Sequence, residues 1–183
     1  MESTTVVRRD RPTVHISVRE SAPTGDATVR ALADLLADVL VGEQVDRRAE
    51  VGLHLVDEGE MTSLNRQHMG IDSPTDVLSF PVDGAGVPSD PSAPAARGSA
   101  SGSGTAPTLV GDVVLCAAVA QRNAPGHAGS FDSELRLLVV HSALHLCGWD
   151  HDTSEGRGAM WERERFHMER LGVTPPRDPW DPS

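Results

Sequence analysis

The chain has 183 residues, enough for one domain with a real core, and a formal charge of -11 at pH 7. Two cysteines, Cys116 and Cys147, argue against a disulfide framework, and no apolar run reaches the ~18 residues of a membrane span. All 16 basic residues are arginine, so any grip on nucleic acid rests on local arginines, whose planar forks suit phosphate, and not on a basic body.

Residues 1–12 are expected to be a disordered tail. Arg8, Arg9 and Arg11 are followed by no apolar region, which is not the pattern of a secretory signal, and a cytoplasmic protein is expected. From Thr13 to Arg19 the pattern alternates, with Val14, Ile16 and Val18 on one side, and predicts a strand. The turn Pro23-Thr24-Gly25-Asp26 leads into a helix from about Ala27 to Leu40. Its apolar stripe is Val29, Leu32, Leu35, Leu36, Val39 and Leu40, and Gly42 stops it. Val51, Leu53 and Leu55 give a second strand. A short helix follows from Glu58 to about His68, with Asp57 as its cap, Glu60 in the capping-box position, and Met61 and Leu64 facing inward.

Pro74-Thr75-Asp76-Val77-Leu78-Ser79-Phe80-Pro81 predicts a turn and a short strand, with Asp76 either a turn residue or part of a site. Residues 83–107 are rich in Gly, Ser, Ala and Pro and cannot bury enough surface to order themselves, so they read as an exposed, mobile insertion. Strand character returns from Thr108 to Leu115. A short helix from Ala117 to about Asn123 ends at Pro125-Gly126, and His127 follows as a solvated loop residue. Ser130 or Asp132 caps the next helix, on which Leu135, Leu138, Val139, Ala143 and Leu146 face the core. Glu134 lies within about 20° of His141 on the helix but ~10 Å back along its axis, too far to ligate, and reads as a groove residue or, in preference, a solvated charge. The last helix, from about Ser154 to Leu171, carries Met160, Trp161 and Met168. Arg157, Arg163, Arg165 and Arg170 alternate with glutamates there, as on a solvated face, before a disordered tail at 173–183. The order of elements is that of an α+β single domain over 13–172: a small mixed sheet of about four strands packed by helices.

Chemistry concentrates in His141-Ser142-Ala143-Leu144-His145-Leu146-Cys147-Gly148-Trp149-Asp150-His151. His141 and His145 are separated by about 400° of helical rotation, so their rings leave one face. Gly148 allows a left-handed stop, and the chain can then return His151 as a third nitrogen. Three ligands leave one tetrahedral position open, the pattern of a catalytic zinc. Cys147 reads as a small buried residue, not a fourth ligand. Zinc proteases of similar spacing carry a glutamate base where this chain has Ser142, which removes the protease reading's main catalytic group.

The same run resembles the His-Gly-x-Leu-His-Leu-x-Gly-Tyr-Asp-His signature of the YbeY family, with Ser142 in place of Gly and Trp149 in place of Tyr. Pro74 to Pro81 resembles its Pro-Thr-Asp-Val-Leu-Ser-Phe-Pro signature at every position, and Val110-Gly111-Asp112-Val113 its Leu-Gly-Asp-Ile. The resemblance covers roughly Val51 to Leu171. It implies a single-strand-specific, zinc-dependent endoribonuclease acting in 16S rRNA maturation and ribosome quality control. One Zn2+ would sit on His141, His145 and His151. The implied partners are single-stranded RNA and rRNA, the small ribosomal subunit and assembly factors, with no membrane and no DNA.

The family's activity-linked arginine is Met69 here, and Arg66, one helical turn earlier, is the candidate to replace it. Asp76 and Asp150 are candidate site carboxylates or acceptors for ligand imidazoles. Beyond the metal-bound water no clear general base is visible. Two alternatives stay open: a zinc protease-like hydrolase without its glutamate, and a non-catalytic ribosome-assembly factor with a structural metal.

Overall fold

Among the described residues, five segments pair as strands: β1 (Glu2–Val6), β2 (Thr13–Val18), β3 (Glu50–Leu55), β4 (Val77–Pro81) and β5 (Leu109–Leu115). They form one sheet in the order β1-β2-β3-β5-β4. β2, β3 and β5 run parallel, and β1 and β4 are antiparallel edges. The helices are α1 (Asp26–Gly42), α2 (Glu58–Met69), α3 (Ala117–Asn123), α4 (Phe131–Leu146) and α5 (Ser154–Arg170). The computed structural model describes residues 2–8, 10–19, 24–82 and 108–173. The expected insertion at 83–107 lies outside the described residues, as does 174–183. Val173, assigned to a tail by the sequence reading, is buried, and its N–H donates to Met168 O.

The sheet has five strands where about four were expected, and the additional one is β1, drawn from the expected N-terminal tail. Its sequence Glu-Ser-Thr-Thr-Val shows no apolar alternation to betray it. It pairs because the outer edge of β2 offers free backbone groups, which Glu2 to Val6 meet in register with Val18 to Val14. Arg8 then pairs with Asp34 of α1 at 2.8 Å.

Alternation assigns the faces of the sheet. Val14, Ile16, Val51, Leu53, Leu55, Val113 and Leu115 face one side, where the stripes of α1 and α4 complete the main core. Val114 and Leu78 face the other side and pack with Met61 of α2, Cys116 and Val119 in a smaller cluster. α2 is capped by Asp57, which accepts from the Glu60 N–H at 2.9 Å, while the Glu60 carboxylate turns away to Arg19. Gly111 sits at φ 149°, and a side chain there would strike Phe80 O of the neighbouring β4.

Glu43, at the end of α1, ties three elements together. Its buried carboxylate accepts from Trp149 Nε1 at 2.9 Å, Arg163 Nε at 2.6 Å and His167 Nε2 at 2.5 Å. Burial alone would raise its pKa, but the hydrogen bonds from His167, Trp149 and Arg163, with the Arg163 charge, hold it down at about 2. A folded value below the ordinary 4.5 means that this stabilisation is full above pH 4.5 and fades as pH falls toward 2. Glu43→Ala strands His167 and Arg163, at a cost of about 3–5 kcal/mol. A Tm lower by on the order of 10 °C is expected by thermal circular dichroism. Between pH 4.5 and 2 the Glu43→Gln stability curve should be flatter than that of the unsubstituted chain.

Candidate metal centre and its cleft

α4 carries the first two imidazoles at its C-terminal end. Ser130 caps the helix by accepting from Ser133 N–H, and Gly148 at φ 79° ends it. Gly148 N–H donates to His145 O and Trp149 N–H to Leu144 O, a paired closure that turns the chain back sharply. The Asp150 carboxylate accepts from His151 N–H at 2.6 Å and shapes the return. The ring centroids of His141, His145 and His151 then lie 4.6, 5.4 and 5.0 Å apart in pairs. One nitrogen from each lies within 4.8 Å of the others.

The other ring nitrogens of His141 and His145 are already committed. His141 Nδ1 donates to Glu164 Oε1 at 2.5 Å, and His145 Nδ1 donates to Trp149 O at 3.0 Å. Both Nε2 atoms therefore present lone pairs, and these face each other at 3.1 Å. Facing lone pairs repel unless a cation lies between them. Tetrahedral Zn–N bonds of about 2.0–2.1 Å place ligand atoms ~3.3 Å apart. Burial, then the neighbouring His141 and His151, push His145 down to about 4, which keeps its ring neutral and able to ligate at pH 7. The donor set fits a divalent metal.

A cavity of about 330 Å³ opens beside the cluster, lined by His141, His151, Asp76, His127, Arg157 and Glu164, with Trp161 and Met160 as apolar wall. Asp76 is thus in the cleft, but its carboxylate accepts from Asn123 Nδ2 and Thr75 Oγ1 and orients neither His141 nor His145. Asp150 is exposed on the ligand turn. Arg66 is not brought to the cleft. The turn at Gly70 returns Asp72 to it, and the guanidinium pairs there at 2.6 Å in solvent, while Met69 is exposed as well. Cys147 is buried in the main core, away from the role of ligand.

Several residues carry more than their sequence context assigns them. Glu164, taken for part of a solvated face, is buried against His141, and Arg157 of the same helix lines the cleft. Glu134, taken for a solvated charge, is fully buried against His127. A signal was present: Glu164 falls in helical register with Met160, Trp161, His167 and Met168, so a charge stood on the buried stripe.

A family model described as endoribonuclease YbeY matches residues 16–172. The chain belongs to the YbeY family. Relatives named endoribonuclease YbeY include that of Desulforamulus reducens, 40% identical over 126 residues, covering 68% of this chain and 74% of the relative. That of Moorella thermoacetica is 35% identical over 151 residues, covering 82% and 91%, and that of Frankia casuarinae is 40% identical over 154 residues, covering 80% and 69%. A solution structure from Thermotoga maritima shares the fold, with TM-score 0.50 and 24% identity over 92% of this chain and 99% of that one. At the position where zinc proteases hold glutamate, this YbeY chain has Ser142, which is completely buried.

Two outcomes are expected. Glu164→Gln removes the charge behind His141, so metal affinity falls about 10–100-fold in a chelator competition while the fold is kept. Ser142 Oγ is buried with no hydrogen-bond partner among the described residues. Ser142→Ala relieves that, so Tm rises by about 2–4 °C for ~1 kcal/mol and metal stoichiometry is unchanged.

Proposed function

We propose that this protein is a zinc-dependent endoribonuclease specific for single strands, acting in 16S rRNA maturation and ribosome quality control in the cytoplasm. The observation that carries the chemistry is the facing pair of Nε2 lone pairs on His141 and His145, with His151 closing the third side. The family carries the substrate class, since its relatives are named endoribonucleases. His141, His145 and His151 would hold one Zn2+. When bound, zinc supplies Lewis acidity toward a phosphoryl oxygen and lowers the pKa of water.

The chain's own groups supply the rest. Three neutral ligands leave the ion's double charge unspent, which suits an anionic phosphodiester. Arg157 borders the cavity and adds a cationic donor for phosphate oxygens. Trp161, Met160, Leu137 and Leu138 give one side an apolar wall against which an unpaired base or ribose can lie. A duplex hides its base faces and presents a stiff double backbone, so single strands fit this wall better. The small ribosomal subunit and its assembly factors are the proposed context, because an acidic chain gains little from general electrostatic attraction to RNA.

The test measures zinc per chain, then cleavage of single-stranded and duplex RNA by nuclease-free preparations with and without chelator. One zinc per chain is expected, with cutting of the single strand that chelator stops and zinc restores. His145→Ala should lose the metal and at least 100-fold of the rate. Chelator-resistant cutting, or equal cutting of duplex, would reject this function.

A further inference from the structure

Glu134 lies in the first turn of α4, and its side chain is 0% exposed. An ionised carboxylate only accepts hydrogen bonds, and out of water it must find donors. It finds His127 Nδ1, at 2.9 Å from Oε1 and 3.1 Å from Oε2, and the Ala128 N–H at 3.1 Å from Oε2. His127 Nδ1 therefore carries a hydrogen, and Nε2 is the ring's lone-pair atom. The loop that holds the ring is itself tied down, with His127 N–H and Gly129 N–H both donating to Ala124 O. The His127 side chain is 42% exposed and lines the same cavity as His141 and His151. It does not belong to their cluster.

Other groups around that cavity are occupied. The Glu164 carboxylate serves His141, and Asp76 accepts from Thr75 and Asn123. The Arg157 guanidinium is donor-only and cannot take a proton from water. His141 and His145 have turned their Nε2 atoms to each other.

We propose that the pair His127–Glu134 is the general base of phosphodiester hydrolysis in this cleft, an assignment that rests on the endoribonuclease reading above. Water gives a proton to His127 Nε2 as its oxygen bonds to phosphorus. The bond from phosphorus to the departing ribose oxygen breaks, and that oxygen takes a proton from solvent. The imidazolium so formed lies against the Glu134 carboxylate and then returns its proton to solvent. Glu134 sets the tautomer and compensates the charge that develops on the ring. The charged and titratable groups that share the space are Asp76, His141, His151, Arg157 and Glu164, with Glu134 behind the ring.

The experiment uses the full chain loaded with one equivalent of zinc and a single-stranded RNA oligonucleotide. His127→Gln should lower kcat about 100-fold. It should leave KM and zinc stoichiometry within about threefold and remove the acid limb of the kcat–pH profile. Added imidazole should restore part of the rate to His127→Ala, which a purely structural role would not allow. Independently of activity, ¹⁵N NMR of the histidine rings should show neutral His127 protonated on Nδ1, and Glu134→Gln should relax that preference. An active unsubstituted chain with an equally active His127→Gln, or a neutral ring protonated on Nε2, overturns the base assignment alone. An unsubstituted chain that leaves RNA intact overturns the endoribonuclease reading and the base assignment with it.

Discussion

A carboxylate withdrawn from water has to be met by donors, and in this protein three buried glutamates turn that requirement into geometry. Glu164 accepts from His141 Nδ1 and so turns the other nitrogen into the three-histidine cluster. Glu134 likewise accepts from His127 Nδ1 at the far end of the same helix. Glu43 holds the Trp149 indole, whose own backbone carbonyl orients His145. Each pair is costly to desolvate and stabilises little against an apolar alternative. What each yields is a ring with one defined tautomer and one defined direction. Metal binding at the cluster would depend on such fixed directions, because an imidazole free to rotate would spend much of its time turned away from a bound ion.

Much of this was legible from residue pattern, because the core is built from strict periodicity. Val14, Ile16, Val51, Leu53 and Leu55 alternate, and Val29 to Leu40 follow the helical stripe, so β2, β3 and α1 were placed within a residue or two. The convergence of His141, His145 and His151 followed from helical rotation and a glycine stop, and the structure brings the three rings together. β1 was not legible, since an edge strand owes its order to the neighbour's unpaired backbone and not to its own side chains. The partners of the ligand rings were not legible either. Glu164 reaches His141 across 23 positions and Glu43 reaches Trp149 across 106, and no local pattern encodes such contacts.

The charge balance also takes a different form in three dimensions. By sequence alone, a local arginine patch would carry RNA. Many of the described arginines are instead spent on nearby acids: Arg19 on Glu60, Arg66 on Asp72, Arg122 on Glu58 and Arg136 on Asp132. Among the described residues, Arg157 lines the cleft. A metal ion bound in that cleft would dominate the local field there.

Helix α4 acts as a gauge rod. It bears Glu134 near one end and His141 and His145 near the other, with the fully buried Leu135, Val139, Ala143 and Leu144 between and beside them. One extra residue within it would swing everything downstream by about 100°, sending the imidazoles into the hydrocarbon and the leucines toward the opening. An insertion or deletion between Glu134 and His145 would therefore put the two ends of this helix out of step with each other.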